Sequence, residues 1–328
     1  MPIGVSWHAV VLLFGLLAFA PTRLGDLSSH PDPVATYAAA IERIATVQRA
    51  EDSVVAAGGG SILLSHGHAT PRVVVLFHGL TDSPTQFLPF AQQLYAEGAN
   101  VYVPRLPHHA ERAGNVAAMK RLTAQELRDV GDASTDAARG LGDTVIVAGL
   151  SAGGTIAAWI GQYRPEVRRV VLVAPALEVT HVPSMLHGAV LRIALRVPNV
   201  TRASPHDSAA PDREPGWATH AVAQTLKLGV AVRNAAGDRA PQAREMSFLL
   251  NAHDHTVAAG ASLDLAREWR RHGDAVVRVF ELPDSLELPH DVVDPRHPGS
   301  NPRMVFPVLD ALVSGKTPVS WVTELPTR

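Results

Sequence analysis

The chain has 328 residues, 46% of them hydrophobic and 18% charged, with a formal net charge of -2. That is a globular balance, with room for one large domain and an insertion, and it excludes collagen, coiled coil and extended disorder. A charge so near zero argues against a nucleic-acid partner, and the absence of cysteine excludes disulfides, thiolate metal sites and a cysteine nucleophile.

From Met1 to Thr22 there is no Asp, Glu, Lys or Arg, and Val10 to Ala20 is an apolar run closed by Pro21. Ala18-Phe19-Ala20 has the small-x-small form of a signal-peptidase site. Residues 1–24 therefore read as a signal peptide or an N-terminal membrane anchor, although a spanning helix takes about 20 apolar residues. The expectation is a protein exported or membrane-associated through this segment. Ser28, Ser29, Pro31, Asp32 and Pro33 read as a linker. Val34 to Ala50 then sets Tyr37, Ile41, Ile44 and Val47 at helical spacing, an amphipathic helix.

The body alternates apolar strand-like runs with helical stretches. Ser61–Leu64 predicts an edge strand, Val73–Phe77 a buried one, and Pro84–Glu97 a helix with Phe87, Phe90, Leu94 and Tyr95 in one stripe. Asn100–Val103, Thr144–Leu150, Val170–Val173, Met246–Leu250 and Ala275–Phe280 predict further strands. Helices are predicted over Thr123–Arg139, Gly154–Tyr163, Leu263–Arg271 and Asn301–Val313. Continuous apolar strands separated by helices imply a doubly wound, mostly parallel sheet of the α/β class, covered on both faces. Between Ala174 and Met246 the rhythm breaks. Two helical pieces, Met185–Val197 and Trp217–Arg233, flank a polar loop with no convincing strand. Residues 178–245 read as a helical cap inserted into a core made of residues 25–177 and 246–328.

Four segments carry chemistry. Gly149-Leu-Ser151-Ala-Gly153 fits G-x-S-x-G between a clear strand and a clear helix. There a serine on a sharp turn stands above the sheet edge and the next N–H, that of Ala152, faces a developing oxyanion. His78-Gly79-Leu80 ends the Val73–Phe77 strand and offers the Leu80 N–H as a second oxyanion donor, with His78 orienting backbone rather than reacting. Asp254 follows the Met246–Leu250 strand, on the rim where Ser151 sits, and can hold an imidazole in one tautomer. His290, between the Ala275–Phe280 strand and the last helix, can shuttle the proton. Asp238 and His297 are the rival acid and base. The chain order Ser151, Asp254, His290 is that of the α/β-hydrolase triad.

His78-Gly-Leu-Thr-Asp-Ser-Pro84, Val101-Tyr-Val-Pro-Arg-Leu-Pro107 and Gly149-Leu-Ser-Ala-Gly-Gly154 together resemble the carboxylesterase and monoacylglycerol-lipase-like branch of the α/β-hydrolases, a serine aminopeptidase-like group. The resemblance covers roughly residues 60–315. It implies the α/β-hydrolase fold with a cap after the sixth core strand. It also implies hydrolysis of a carboxylic ester through an acyl-serine, without cofactor or metal, on a small-molecule ester or a lipid such as a monoacylglycerol. Relatives continue Gly-His-Gly after Arg-Leu-Pro, whereas this chain reads His108-His109-Ala110, so the pocket near this loop is expected to differ in shape.

Competing readings are weaker. His253, Asp254 and His255, with His66 and His68, have metal-ligating side chains, but adjacent side chains of an extended segment point to opposite faces. The same triad can also serve thioester, amide or carbon–carbon bond hydrolysis, and a fold of this kind can be a binding module without catalysis.

Overall fold

A computed structural model describes residues 15–19, 21, 24–112, 116–203, 215–273 and 275–326. Helix α1 (Tyr37–Glu51) starts at an N-cap Thr36 whose side chain accepts the Ala39 N–H. The strands of the main sheet are β1 (Ile62–Leu64), β2 (Thr70–Phe77), β3 (Asn100–Val103), β4 (Gly142–Leu150), β5 (Val167–Val173), β8 (Glu245–Asn251), β9 (Val276–Leu282) and β10 (Thr323–Leu325), in the spatial order β1-β3-β2-β4-β5-β8-β9-β10. The six inner strands run parallel, and β1 and β10 close the edges antiparallel.

The strand residues alternate between two cores, as the two-residue period of a sheet dictates. Val73, Val75 and Phe77 of β2 face one cluster, with Val145 and Val147 of β4. Val74 and Leu76 face the other, with Ile146 and Ala148. Helices α1, α3 (Ala124–Leu141), α4 (Ala152–Tyr163) and α7 (Ala259–Arg271) cover the first face, and α2 (Leu88–Ala96) and α8 (Pro302–Val313) the second. Thr123 and Glu126 close a capping box at the start of α3. Behind α3, the buried Arg164 guanidinium binds Asp132 at 2.5 Å and also Asp136 and Glu166.

Register decides where the chemistry falls. Phe77 pairs with Gly149, Leu150 with Val173, Val173 with Leu249 and Asn251 with Leu282. The carboxyl ends of β2, β4, β5, β8 and β9 are thereby level, and the loops that follow them share one rim, the usual ligand-binding edge of an open parallel sheet.

Between β5 and β8 the chain leaves the sheet for α5 (Ser184–Ala194), a short antiparallel pair β6 (Thr201–Ala203) and β7 (Gly216–Ala218), and α6 (Thr219–Asp238). Counted in this chain the excursion follows the fifth strand of the sheet. The two helices fall where the sequence pattern put them; the polar loop 204–214 lies outside the described residues, as does most of the apolar run before Pro21. The pair β6/β7 and edge strand β10 have no sequence signal because each is three residues long and, unlike Ile62–Leu64 of β1, none is an apolar run. Strand β5 starts three residues before its apolar run because Arg168 and Arg169 pair with Glu245 of β8 at 2.8 and 2.6 Å, a polar lacing that hides the strand pattern.

Candidate active site

Ser151 sits between β4 and α4 with φ 56° and ψ -114°, a conformation that L-residues avoid and that persists only where its surroundings enforce it. Here they do. The Ser151 N–H donates to Val173 O at 3.0 Å, and its carbonyl accepts from Thr155 N and Ala176 N at 2.9 and 3.0 Å. The flanking glycines are sterically required: a Cβ on Gly149 would lie 2.2 Å from Gly153 O, and one on Gly153 would lie 2.0 Å from Phe77 O. The tight contact brings the start of α4 against the end of β2, so Ala152 and the His78–Leu80 turn share one wall.

Asp254 lies in the turn after β8, its side chain only 5% exposed. One carboxylate oxygen accepts Thr256 N–H at 2.7 Å and Val257 N–H at 3.2 Å. The other faces His290 Nδ1 at 2.6 Å. Burial alone would push this carboxyl up. The hydrogen bond and charge of His290 and the two backbone N–H groups outweigh it and hold the group below the usual carboxylate value. His290 Nε2 is buried and makes no hydrogen bond among the described residues. It borders the cavity that Ser151 also lines. Catalytic contacts to such a nitrogen are commonly long before a substrate is bound.

That cavity holds about 510 Å³. Its floor is Gly79, Leu80, Leu150, Ser151 and Ala152; Trp217, Val222 and Leu226 close it from the β5–β8 excursion, and Val179 and Val257 from the side. All five residues expected to form the site, Ser151, Asp254, His290, Leu80 and Ala152, are at this rim, Asp254 behind His290 and the other four on the cavity wall. Asp238 is the last residue of α6 and lines a different surface hollow with Leu24 and Asp26. The half-buried His297 ring faces the Pro298 carbonyl. His108, His109 and Ala110 are absent from the cavity wall, so the altered loop does not shape the pocket directly.

Sequence reasoning passed over several supporting residues. Buried Asn251 donates its amide to Leu288 O and Pro289 O at 2.8 and 3.0 Å, tying the His290 segment to the end of β8. Buried Gln86 accepts Gly79 N–H at 2.8 Å and donates to Asp82 at 3.0 Å and Asp291 at 2.9 Å. Their only sequence signals were an Asn at a strand end and a Gln inside a helical stripe. Among the described residues, the one carboxylate or imidazole group close enough to share a cation is Asp82, Asp291 and Asp294. The Gln86 amide spans the first two, and Arg296 pairs with Asp294 at 2.8 Å. His66, His68, His253 and His255 join no such group.

A parallel sheet with a serine elbow after β4 and an Asp–His pair after β8 and β9 defines the α/β-hydrolase class. The chain belongs to the serine aminopeptidase S33 family, whose pattern matches residues 68–278. It is 25% identical over 118 residues to a thermostable monoacylglycerol lipase of Bacillus sp. (strain H-257), a match covering 36% of this chain and 46% of the lipase; the match thus spans about half that relative's length. In fold it is similar to a metagenome-derived lipolytic enzyme, with a TM-score of 0.59 at 17% identity over 80% of this chain and 99% of the other. It also resembles a soluble variant of the monoglyceride lipase of Saccharomyces cerevisiae, with a TM-score of 0.51 at 13% identity over 79% and 92% of the two chains.

Proposed function

We propose that this hydrolase cleaves carboxylic esters of apolar acyl groups through an acyl-serine intermediate, with Ser151 as nucleophile, His290 as base and acid, Asp254 as its orienting partner, and the Leu80 and Ala152 N–H groups as oxyanion donors. The observation that carries the reading is the His290 ring, held by Asp254 at 2.6 Å through Nδ1 while its unbonded Nε2 borders the cavity of Ser151. Residues 178–245 act as the cap.

In this mechanism His290 Nε2 takes the hydroxyl proton as Ser151 Oγ attacks the carbonyl carbon, and the two backbone N–H groups receive the oxyanion. The imidazolium, stabilised by Asp254, gives the proton to the departing alcohol. Water then enters, loses its proton to His290 and releases the acid. The apolar side chains of Val179, Trp217, Val222 and Leu226 on the wall support an apolar acyl group, and Thr81, His181 and His255, which also line the cavity, suit a polar alcohol such as glycerol.

The test is hydrolysis of p-nitrophenyl esters of increasing acyl length by the protein and by Ser151→Ala, with fluorophosphonate labelling of the wild type. Turnover and labelling both lost in the variant are expected. Ester turnover retained in Ser151→Ala would overturn the assignment, and turnover of amides alone would move the substrate to peptides.

The N-terminal attachment belongs to the same proposal. Among the described residues no helix is long and apolar enough to cross a membrane. Leu16 and Phe19 are nevertheless exposed, as are Met185, Leu186 and Val190 of α5. Arg192 and Arg196 donate to the Ala18 and Pro21 carbonyls at 2.9 and 2.7 Å, fastening this segment to the cap. Fractionation of cells expressing the full chain tests it: recovery wholly in the cytosolic fraction refutes attachment or export.

A further inference from the structure

The loop after β3 contains two residues held in the left-handed region without being glycine, His108 at φ 66° and Ala110 at φ 52°. Such backbone is disfavoured for L-residues, and it is retained where something nearby requires the geometry. Between them stands His109, fully buried, away from the cavity wall and with no part in the mechanism above.

The imidazole of His109 faces two carbonyl oxygens, Leu80 O at 2.7 Å from Nε2 and Pro107 O at 2.9 Å from Nδ1. It meets the ring of His78 edge-on, centroids 5.3 Å apart. His78 accepts the Leu106 N–H on Nε2 at 3.0 Å, so its Nδ1–H donates to Gly79 O at 2.8 Å. That bond fixes the peptide unit between Gly79 and Leu80, whose N–H points opposite to its C=O. The Gly79 N–H is taken by Gln86. The next peptide unit after Leu80 offers its C=O to His109. Leu80 is thus pinned on both sides by buried rings, with its own N–H left for the cavity.

We propose that His109 is a positioning residue for the oxyanion site: its Nε2–H, donated to Leu80 O, sets the angle at which the Leu80 N–H meets the transition state. The inference rests on the proposed function above. Burial pushes this imidazole down to about 4, against the pull of the Pro107 and Leu80 carbonyls, so at neutral pH the ring has a single proton for two acceptors. The proposal places that proton on Nε2, the nitrogen with the shorter contact, 2.7 Å to Leu80 O against 2.9 Å to Pro107 O.

Two substitutions separate the nitrogens. The amide of His109→Gln can reach the Nε2 position, and that of His109→Asn the Nδ1 position. Loss of a whole oxyanion donor costs about 10²–10³ in kcat; a misaimed one is expected to cost about 10–100-fold. The expected result is a kcat lowered by that factor in His109→Asn with KM within about threefold, and a kcat restored to within about fivefold in His109→Gln. The affinity for a trifluoromethyl ketone, whose hemiketal oxyanion occupies the same site, should fall in parallel with kcat/KM. Equal loss in both variants, or a folded His109→Asn with wild-type kcat, overturns the proposal. Should neither variant fold, ¹⁵N NMR of the wild-type ring decides: a proton on Nδ1 refutes it and one on Nε2 supports it. Fluorophosphonate labelling of Ser151 in the same proteins keeps the two questions apart, because failure of the serine assignment removes labelling from the wild type as well.

Discussion

Asp254→Asn is the substitution whose consequence follows most directly from the geometry. Two backbone N–H groups, from Thr256 and Val257, converge on one carboxylate oxygen at 2.7 and 3.2 Å. An asparagine must present its carbonyl to them, which turns its NH₂ toward His290 Nδ1, 2.6 Å from the other oxygen in the wild type. A donor facing Nδ1 forces the ring proton onto Nε2, the nitrogen that in the proposed mechanism accepts the proton of Ser151. The ring stays in place but in the wrong tautomer. The corresponding change in a serine protease triad costs about 10⁴ in kcat, or about 5.4 kcal/mol of transition-state stabilisation, and a loss of the same order is expected here. The fold should hold, since both backbone donors keep their acceptor. Measuring kcat/KM on p-nitrophenyl butyrate between pH 5 and 9, with a thermal melt beside it, tests both parts. A folded variant within tenfold of the wild-type rate would refute the tautomer argument and take the acid role away from Asp254.

Other perturbations address stability and specificity. Replacing Arg164 with Leu removes the buried guanidinium from the carboxylates of Asp132 and Asp136, which among the described residues keep only Ser29, His30, Asp32 and, at 3.9 Å, Arg43. It should cost about 3–5 kcal/mol, which over 328 residues at about 2.1 cal/mol/K each lowers Tm by roughly 4–7 °C; an unchanged Tm would show the cluster to be neutral. Folded His109 binds a proton more weakly than the unfolded chain does, at about 4 against the ordinary 6.5. Its contribution is therefore whole above pH 6.5 and drains away as pH falls toward 4, by about 3 kcal/mol. Buried His78 is shifted the same way and adds to the loss. Asp254, held below 3.8, loses its share only at still lower pH. Denaturant titrations at pH 7.5 and 4.5 should show this drop, and His109→Gln should flatten it. Trp217→Ala opens the wall of the cavity that Ser151 also lines, so the acyl-length optimum should move to longer chains; an unmoved optimum would place the acyl group elsewhere.

What the sequence made legible was whatever is written locally. The apolar runs of β2, β4 and β8 and the G-x-S-x-G turn are contiguous patterns, so the parallel sheet and the position of Ser151 followed from them. Asp254 and His290 were legible because chain order and strand ends place them on the rim that the level strand register creates. The residues that hold these groups were not legible. Asn251 acts on carbonyls 37 and 38 residues away, Gln86 on an N–H seven away, and His109 on a carbonyl 29 away. Their partners are backbone groups, which carry no residue identity for a sequence pattern to match.

The loop at His108–Ala110 is the sharpest case of this difference. Set against the Gly-His-Gly of the relatives it resembles, its sequence suggested a reshaped pocket. In three dimensions His108 and Ala110 adopt the left-handed backbone that glycine adopts freely, and His109 keeps the place between them. The chain therefore carries strain that glycine would have avoided, and the imidazole between the two strained residues reaches Leu80 O at 2.7 Å. His108 offsets part of that strain through Glu126 at 3.0 Å. Ala110 does so through its backbone, where its carbonyl accepts the Ala56 N–H at 2.7 Å. On the proposed role of His109, the backbone conformation here follows from what the neighbouring ring must reach, and the residue types at its flanks adapt to it.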